Sequence, residues 1–441
     1  MMNQAENLKQ TLLEDIHQIS LHPELFAKHP GKDFTRERKL SAEDVLIFPI
    51  LMERESMNRE LLKYFNYSLN APSISAYCQQ RQKLLPDTYR QVFQRFNSHF
   101  LDSLYKRKYV LTAVDGSGFN LFYNPLDDLT FLPPTKSSPQ GHNELHVTAA
   151  YRLSDRVFSD AVIQPASQKN EFAAICQLVD RGITGPGSPL YIADRGFPSF
   201  NFFAHCKENE AFFLVRAKDL YMERLLRNDM PQNKEEFDLT IDRIMIRSRA
   251  KKNYSQPEKP ELYRYVDKNT LFDYIEPGAR GEYQLHLRAV RVEIKEGGYE
   301  NLITNLPKSE FDLEELRILY YLRWGIETSF RELKHAVGAS DFHCKSFEYV
   351  THEIWARLLL YNFCSRVTSY AVIKQKNRKY IYQVNYTMAI QNCHDFVRQR
   401  KEEMPIDILG LIEKYTLPIR PGRNFARQHR FQIPMKFTYR H

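Results

Sequence analysis

Apolar residues in the first hundred positions recur with helical spacing. Ser41-Ala-Glu-Asp44 has the form of a capping box and opens the apolar run VLIFPILM, so a helix is predicted to begin there. A second helix is predicted over residues 59–64. Ser73 is placed to cap a third helix, which begins with ISAYCQQRQKLL.

The third of these helices carries polar side chains that suit contact with DNA: Gln79, Gln80, Arg81 and Lys83. Two helices with a short break are typical of a helix-turn-helix, in which Gln and Arg side chains read base edges in the major groove. An ordinary helical hairpin with a polar outer face has the same pattern. Residues 1–106 are therefore predicted to form a helical domain and are a candidate for DNA binding.

From residue 109 the pattern changes to short apolar, β-branched runs. Strands are predicted at residues 109–115, 144–153, 156–165, 188–194 and 211–218. Ser154-Asp155 reads as a hairpin turn. Residues 170–181 have helical spacing, with Phe172 on the apolar side, and another short helix follows Pro198. Three strands that can pair antiparallel, followed by helix, strand, helix and strand, predict a mixed α/β sheet with crossovers.

This order of elements matches the ribonuclease-H-like fold, in which acids end the first and fourth strands and a later helix brings a third. Alternating strands with Pro-Gly and Gly-Gly turns predict a β-rich insertion at about 219–300. A strand at 300–307 then returns to the core. One long helix is predicted from near Asp312 through Glu327 towards Gly338, with further helices over roughly 347–373 and 379–403.

The predicted domains are thus the helical part at 1–106, a ribonuclease-H-like catalytic domain at 107–345, and a C-terminal helical region at 346–441. A chain of 441 residues has room for two or three domains. Because no apolar run approaches the roughly 18 residues of a membrane span, none is expected. The first residues lack the apolar segment of a secretory signal. Six scattered cysteines without a CxxC pair are typical of reduced thiols in a cytosolic protein.

Positive charge is concentrated at the C-terminal end of the chain. The net charge is +8, and from Lys414 to His441 there are seven Lys and Arg residues and no Asp or Glu. Such a segment would attract a polyanion such as nucleic acid. A solvated basic tail accounts for the same composition equally well.

Two aspartates are predicted to end strands of the core. Asp115 is followed by Gly116-Ser117-Gly118, which would let the backbone turn close to a ligand, and Asp194 lies in an Ala-Asp-Arg-Gly-Phe segment. Each alone could be an ordinary turn or cap residue. Two carboxylates at neighbouring strand ends repel each other, and a divalent cation such as Mg²⁺ resolves that repulsion. A pair of such ions can cleave a phosphodiester.

A polar stripe on the long helix supplies the third acid. Tyr320, Arg323, Glu327 and Lys334 are spaced 3, 4 and 7 apart and would share one helix face. A solvated face with an Arg323–Glu327 salt bridge is the simpler explanation. Phosphoryl chemistry explains more, because Glu327 would complete the metal site while the two cations hold a DNA phosphate.

The spacing Y-x2-R-x3-E-x6-K resembles the YREK signature of bacterial DDE transposases of the IS-four type, which include the transposon-five transposase. The ADRGF and FFLVRAK segments resemble the second-aspartate region of the same family. The resemblance covers about residues 109–340, including a β-rich insertion between the second aspartate and the glutamate.

The resemblance implies roles for individual residues. It implies a metal-binding catalytic triad of Asp115, Asp194 and Glu327. It implies a grip on the phosphate beside the cleaved bond by Tyr320, Arg323 and Lys334, with Arg216 as another phosphate contact. Trp324 matches an aromatic residue that helps handle a base near the cleaved end, although a core tryptophan behind the helix is an equal alternative. His142 and His146 are expected to be structural.

The implied activity is cut-and-paste DNA transposition by in-line phosphoryl transfer with Mg²⁺ or Mn²⁺, two ions at the site. Water attacks at the transposon end and frees a 3′-hydroxyl, which then attacks the opposite strand or target DNA. The implied partners are transposon ends and target DNA, and a second copy of the chain in a synaptic homodimer. The implied location is the bacterial cytoplasm, at the nucleoid. A ribonuclease-H-like nuclease without strand transfer, and a domesticated non-catalytic DNA-binding protein, are the alternatives.

Overall fold

The N-terminal part of the protein is helical, as its pattern predicts. A computed structural model describes residues 2–100, 103–182, 185–232, 235–250, 254–294, 297–375, 379–399, 403–420 and 434. The N-terminal helices are α1 (Met2–Ser20), α2 (Pro23–Phe26), α3 (Ala42–Leu51), α4 (Met57–Tyr64), α5 (Ile74–Arg81) and α6 (Thr88–Ser98). Ser41 caps α3 in a capping box and Ser73 caps α5, so both predicted helix starts are confirmed.

Ten strands of the described chain form one mixed sheet. They are β1 (Tyr109–Leu121), β2 (Phe131–Leu132), β3 (His142–Arg152), β4 (Val157–Pro165), β5 (Ser188–Ala193), β6 (Phe212–Ala217), β7 (Phe237–Ile246), β8 (Tyr263–Tyr265), β9 (Glu282–Ile294) and β10 (Gly298–Thr304). Their order is β2-β3-β1-β5-β6-β10-β9-β7-β8, and β4 also pairs with β3.

The pairing of the core strands is that of a ribonuclease-H-like sheet. β1, β3 and β4 are antiparallel neighbours, and β1, β5 and β6 are parallel. The predicted fold class is therefore confirmed. The strands β7 to β9 of the insertion continue the same sheet beyond β10, which pairs with both β6 and β9. The helix α9 (Asp219–Leu226), which opens the insertion, was not predicted.

Helices cover both faces of the sheet. On one face, α7 (Glu171–Arg181) and α8 (Phe200–Glu208) pack with the insertion around one apolar cluster. Phe172 was predicted to lie on the apolar side of α7, but it is 43% exposed. It lies in the first turn, where α7 has not yet reached the sheet-facing residues Ile175 and Val179.

The other face carries two helices where one long helix was predicted. These are α10 (Leu313–Leu322) and α11 (Trp324–His335), which meet at Arg323. At the junction the amide of Ile326 bonds to the carbonyl of Arg323, a spacing of three residues that tightens the turn. Gly325 follows, and a Cβ there would lie 3.1 Å from a Leu153 methyl carbon, so a larger residue would require Leu153 to shift.

The C-terminal helices join the N-terminal helices to the sheet. They are α12 (Phe347–Ser369), α13 (Tyr386–Arg398) and α14 (Ile408–Lys414), beside the short strands β11 (Tyr382–Val384) and β12 (Thr416–Pro418). α12 is buried almost all round, as expected of a central helix. Its Asn362 donates to Asn97 of α6 and to the backbone of Phe158 in β4, at 2.9 and 2.7 Å. Most of the basic C-terminal segment (residues 421–433 and 435–441) lies outside the described residues.

The polar face of α5 is partly turned inward against this C-terminal part. Arg81 is buried, donates to Cys344 Sγ at 2.5 Å, and lies over the ring of Tyr349 at 4.3 Å. Gln80 is buried as well, whereas Gln79 is exposed. Arg81 and Gln80 are thus structural residues, and the prediction that they could read bases is wrong for these two positions.

No helix in the described ranges is both long and apolar enough to cross a membrane.

Candidate active site

Two aspartates lie at the edge where the central parallel strands stop pairing. The last parallel pair of β1 and β5 joins Val114 to Ala193. Asp115 and Asp194 are the next residues of the two strands. Because parallel strands end at the same edge, their carboxylates become neighbours, and each adds negative charge to the surroundings of the other.

The prediction that Asp115 closes its strand is wrong. β1 continues to Leu121 and pairs over this extension with β3. The strand is long because β3 continues beside it after β5 has ended. Asp115 therefore lies within a strand whose far end is held by hydrogen bonds, and its amide neighbour Gly116 donates to its Oδ1 at 2.9 Å.

The glycines after Asp115 do not form the predicted turn. They lie in the extended strand, and the space that side chains would need is filled from the reverse face of the sheet. A Cβ at Gly116 would overlap His146 and Glu171, and one at Gly118 would overlap Glu144. These polar side chains pack directly against the backbone that carries Asp115, a feature that the sequence pattern did not reveal.

Glu327 comes to the same edge from the first turn of α11. Its Oε1 accepts from Arg323 Nη2 at 2.9 Å, and Arg323 Nη1 lies 3.9 Å from Asp115 Oδ2. Arg323 is only 3% exposed. One buried guanidinium thus joins the strand acid to the helix acid.

Tyr320, the last buried residue of α10, lies against the second aspartate. Its hydroxyl donates to Asp194 Oδ1 at 3.1 Å. Burial raises the pKa of the Tyr320 phenol, while the charges of Arg323 and Arg216 act in the opposite direction. The phenol is therefore a neutral donor at neutral pH, aimed at a carboxylate.

Electrostatics at this edge are dominated by the burial of like charges. Burial raises the pKa of Asp115 to about 6. The amide of Gly116 and the charge of Arg323 oppose this shift, and the charges of Glu327 and Asp194 add to it. The cluster consequently holds more negative charge than Arg323 neutralises.

Lys334 lies on the side of α11 that faces β1. Its ammonium donates to the carbonyl of Gly118 at 2.6 Å and lies 4.7 Å from the ring of Phe119. Burial lowers the pKa of Lys334, against the charge of Glu144. The lysine therefore ties α11 to the extension of the Asp115 strand.

Arg216 and Trp324 were also predicted to contact DNA, and they lie on β6 and at the start of α11. Arg216 Nη1 lies 3.4 Å from Glu300 Oε1, between β6 and β10. Trp324 is 49% exposed, so the alternative of a core tryptophan is wrong. It lines a groove of about 550 Å³ with these residues: Ile294, Glu300, Arg317, Ile318, Tyr320, Tyr321 and Leu322. The exposure of Tyr321, at 72%, was also not apparent from the sequence.

Other titratable side chains near the sheet have partners of their own. His146 Nε2 lies 2.8 Å from Glu171 Oε1, and His142 Nδ1 lies 3.0 Å from Ser138 Oγ. On α11, Glu332 accepts from Tyr361 at 2.9 Å, on the side facing α12. Glu332 thus points away from the acids at the strand ends.

A separate group of possible metal ligands lies on the N-terminal and C-terminal helical parts of the chain. Within the described ranges, Glu53, His394 and Asp395 have ligand atoms within 4.8 Å of one another. Glu53 is already paired with Lys63 at 2.5 Å and with Arg398 at 3.1 Å. Two resident cations make this group a salt-bridge network, and a poor site for another cation.

The elements that carry these acids correspond to a known family. Residues 106–363 match the family model described as a transposase DDE domain. The protein belongs to the DDE transposase family. Over 437 residues it is 22% identical to "Transposase InsG for insertion sequence element IS4" of Escherichia coli (strain K12), an alignment that covers 92% of this chain and 90% of that protein. The predicted resemblance to IS-four-type transposases is confirmed.

This DDE transposase is accordingly an enzyme that cuts and joins DNA, as predicted from the sequence. Its family generally uses divalent metal ions. The carboxylate-rich edge described above lies inside the matched range and includes all three acids that the sequence pattern selected.

Replacing Asp115 with Asn should stabilise the metal-free transposase at neutral pH. Its raised pKa, about 6 against an ordinary 3.8, means that the folded protein keeps a proton that the unfolded chain releases. The free energy of unfolding therefore falls as pH rises from about 3.8 to about 6. Asp115→Asn removes a penalty on the order of 1–3 kcal/mol. Urea unfolding in EDTA should show the full gain above pH 6 and none near pH 4.

The exposed Asp128 provides the matched control. Asp128→Asn should change the free energy of unfolding by less than about 0.5 kcal/mol across the same pH range. A gain for Asp115→Asn that does not depend on pH would contradict the assignment of this penalty to the ionised carboxylate.

Proposed function

We propose that Asp115, Asp194 and Glu327 hold Mg²⁺ or Mn²⁺, two ions in all, and that they form the catalytic centre of the transposase. Supporting this is the position of Asp115 and Asp194 at adjoining strand ends on a partly buried edge, where Arg323 links Glu327 to Asp115. Burial and the neighbouring carboxylates already raise the pKa of Asp115, so a cation there would relieve both penalties. Carboxylate oxygens are also the protein ligands that these ions prefer.

Divalent cations at these carboxylates supply Lewis acidity, which withdraws charge from a phosphodiester and favours deprotonation of an attacking water or hydroxyl. The side chains around them are proposed to hold the DNA. Arg323 offers a fork of donors for phosphate oxygens, and Arg216 and Lys334 offer single positive charges. Tyr320 orients Asp194 through its hydroxyl and lies where the same phosphate would pass.

The reaction we propose is cut-and-paste transposition. Hydrolysis at the transposon end breaks the P–O bond and leaves a 3′-hydroxyl. That hydroxyl then attacks a second phosphodiester in line and displaces its leaving oxygen. No protein nucleophile is required, which agrees with a neutral, buried Tyr320.

Trp324 and its groove are proposed to take an unstacked base beside the cleaved bond. The half-exposed indole offers a π face, and the neighbouring Tyr321 extends the apolar surface. The groove begins at Tyr320, so a base held there would leave its phosphate next to the acids.

Two ends must meet for one insertion, so we propose that the working form is a homodimer with both transposon ends bound. Because the substrate is chromosomal DNA, we propose that the enzyme works in the bacterial cytoplasm at the nucleoid.

Glu327→Gln should abolish both cleavage and joining. The amide keeps the size of the side chain and a hydrogen bond to Arg323 but removes the charge that the ions need, a loss of several kcal/mol in the transition state and thus about 10³-fold or more in rate. The assay uses a labelled duplex of the inverted repeat flanking the gene, with Mg²⁺ or Mn²⁺, and scores nicked ends and strand-transfer products separately.

Glu332→Gln on the same helix is the matched control, since Gln still accepts a hydrogen bond from Tyr361. It should retain activity within about threefold, a change of under 1 kcal/mol. Full activity of Glu327→Gln would overturn the site. Wild-type nicking without strand transfer would leave the metal site standing and refute cut-and-paste joining.

Lys334→Ala should weaken binding to the same duplex by on the order of tenfold. If Lys334 contacts one phosphate, the slope of log affinity against log salt should fall by about one. Lys308, which is exposed and paired with Asp238, is the control, and Lys308→Ala should leave the slope unchanged. An unchanged slope for Lys334→Ala, with normal folding, would show that Lys334 does not contact a phosphate and serves only to bond Gly118.

A further inference from the structure

Arg323 lies against two of the three carboxylates proposed to bind metal. Nη2 donates to Glu327 at 2.9 Å, and Nη1 lies 3.9 Å from Asp115 Oδ2. The side chain is 3% exposed, so water screens these contacts weakly. A guanidinium at this position and a divalent cation would compete for the same carboxylate oxygens of Glu327 and Asp115.

Positive charge at this position opposes metal binding in two ways. An oxygen of Glu327 that accepts from Arg323 is less available as a metal ligand. The guanidinium also repels a second cation at close range, and in a buried edge that repulsion is stronger than in water. Arg323 should therefore lower the affinity of the protein for metal while its guanidinium remains beside Glu327 and Asp115.

The same guanidinium has donors left unused. Nε and Nη1 are buried and have no hydrogen-bond partner among the described residues. Buried donors without partners are costly, so an anion that satisfied them would bind favourably. A phosphodiester offers two oxygens in the geometry that the arginine fork matches.

Two aromatic rings border the guanidinium of Arg323. Its guanidinium carbon lies 5.2 Å from the Trp324 ring centre and 5.6 Å from that of Tyr320. Both rings are favourable neighbours for a cation. A guanidinium that moves off Glu327 towards the groove thus keeps a stabilising environment, at the place where the DNA strand is proposed to lie.

We propose that Arg323 couples metal loading to DNA binding: on the DNA-free protein it competes with the divalent cation for Glu327 and Asp115, and a DNA phosphate ends that competition by drawing the guanidinium away. The inference rests on the proposed metal site. Its consequence is linkage, in which DNA raises the affinity for metal and metal raises the affinity for DNA by the same factor. A transposase without DNA would then carry little bound metal, which restricts cleavage to the assembled complex.

Mn²⁺ binding to the full chain, measured by electron paramagnetic resonance of the free ion, tests this directly. Without DNA, Arg323→Met should bind Mn²⁺ about tenfold more tightly than wild type, because the apolar side chain keeps the packing but not the charge. Arg323→Lys, which keeps the charge, should stay closer to wild type. Lys308→Ala removes an exposed positive charge that is paired with Asp238, and should leave the affinity unchanged.

The second arm repeats the titration with the inverted-repeat duplex, after subtraction of Mn²⁺ bound by the duplex alone. Wild type should gain at least about fivefold in Mn²⁺ affinity, and Arg323→Met should gain much less. Equal Mn²⁺ affinities of wild type and Arg323→Met without DNA would overturn the proposal. If Arg323→Met does not fold, absence of any DNA effect on wild type would overturn it.

Glu327→Gln separates this proposal from the one on which it rests. If Glu327→Gln abolishes Mn²⁺ binding while Arg323→Met leaves it unchanged, the metal site is supported and the proposed competition by Arg323 is wrong. If Glu327→Gln binds Mn²⁺ as wild type does, the metal site itself is wrong.

Discussion

The parallel pairing of β1 with β5 is the constraint on which the site depends. It ends at Val114 and Ala193, so the next residue of each strand, Asp115 and Asp194, must emerge side by side. Burial raises the pKa of Asp115, and the charges of Glu327 and Asp194 add to the shift, so an ionised carboxylate here is unfavourable. The surrounding structure supplies what makes this arrangement tolerable: a donor from Tyr320, a cation from Arg323, and room for more positive charge.

The helices α10 and α11 place polar side chains beside the aspartates at the strand ends. Breaking the predicted long helix at Arg323 lets α10 bring Tyr320 to the second aspartate while α11 brings Glu327 to the first. Lys334 then fastens α11 to the extension of β1 through the carbonyl of Gly118. α12 packs behind them and links the N-terminal helices to the same sheet, so the parts that would bind DNA and cut it share one core.

Local pattern was sufficient to predict the core strands and to select the three acids of the proposed site. Short apolar runs predict β1 and β5, and the Tyr-Arg-Glu-Lys spacing selects Glu327 because so many polar groups on one helix face need a polar partner. The break at Arg323 was not predictable, because the helical pattern of the sequence continues through it without interruption. Nor was the inward turn of Arg81, which follows from its contact with Cys344, distant in sequence. When a side chain is buried by elements that are remote in sequence, the hydrophobic periodicity of its own segment does not show it.

The acids at the strand ends are proposed to form the metal site. Crystals of the full transposase grown with Mn²⁺ and an inverted-repeat duplex, with data collected at the manganese absorption edge, test it most directly. The account predicts anomalous peaks within about 2.5 Å of carboxylate oxygens of Asp115, Asp194 and Glu327. Peaks elsewhere, for example at the group of Glu53, His394 and Asp395, with none at the strand ends, would contradict it.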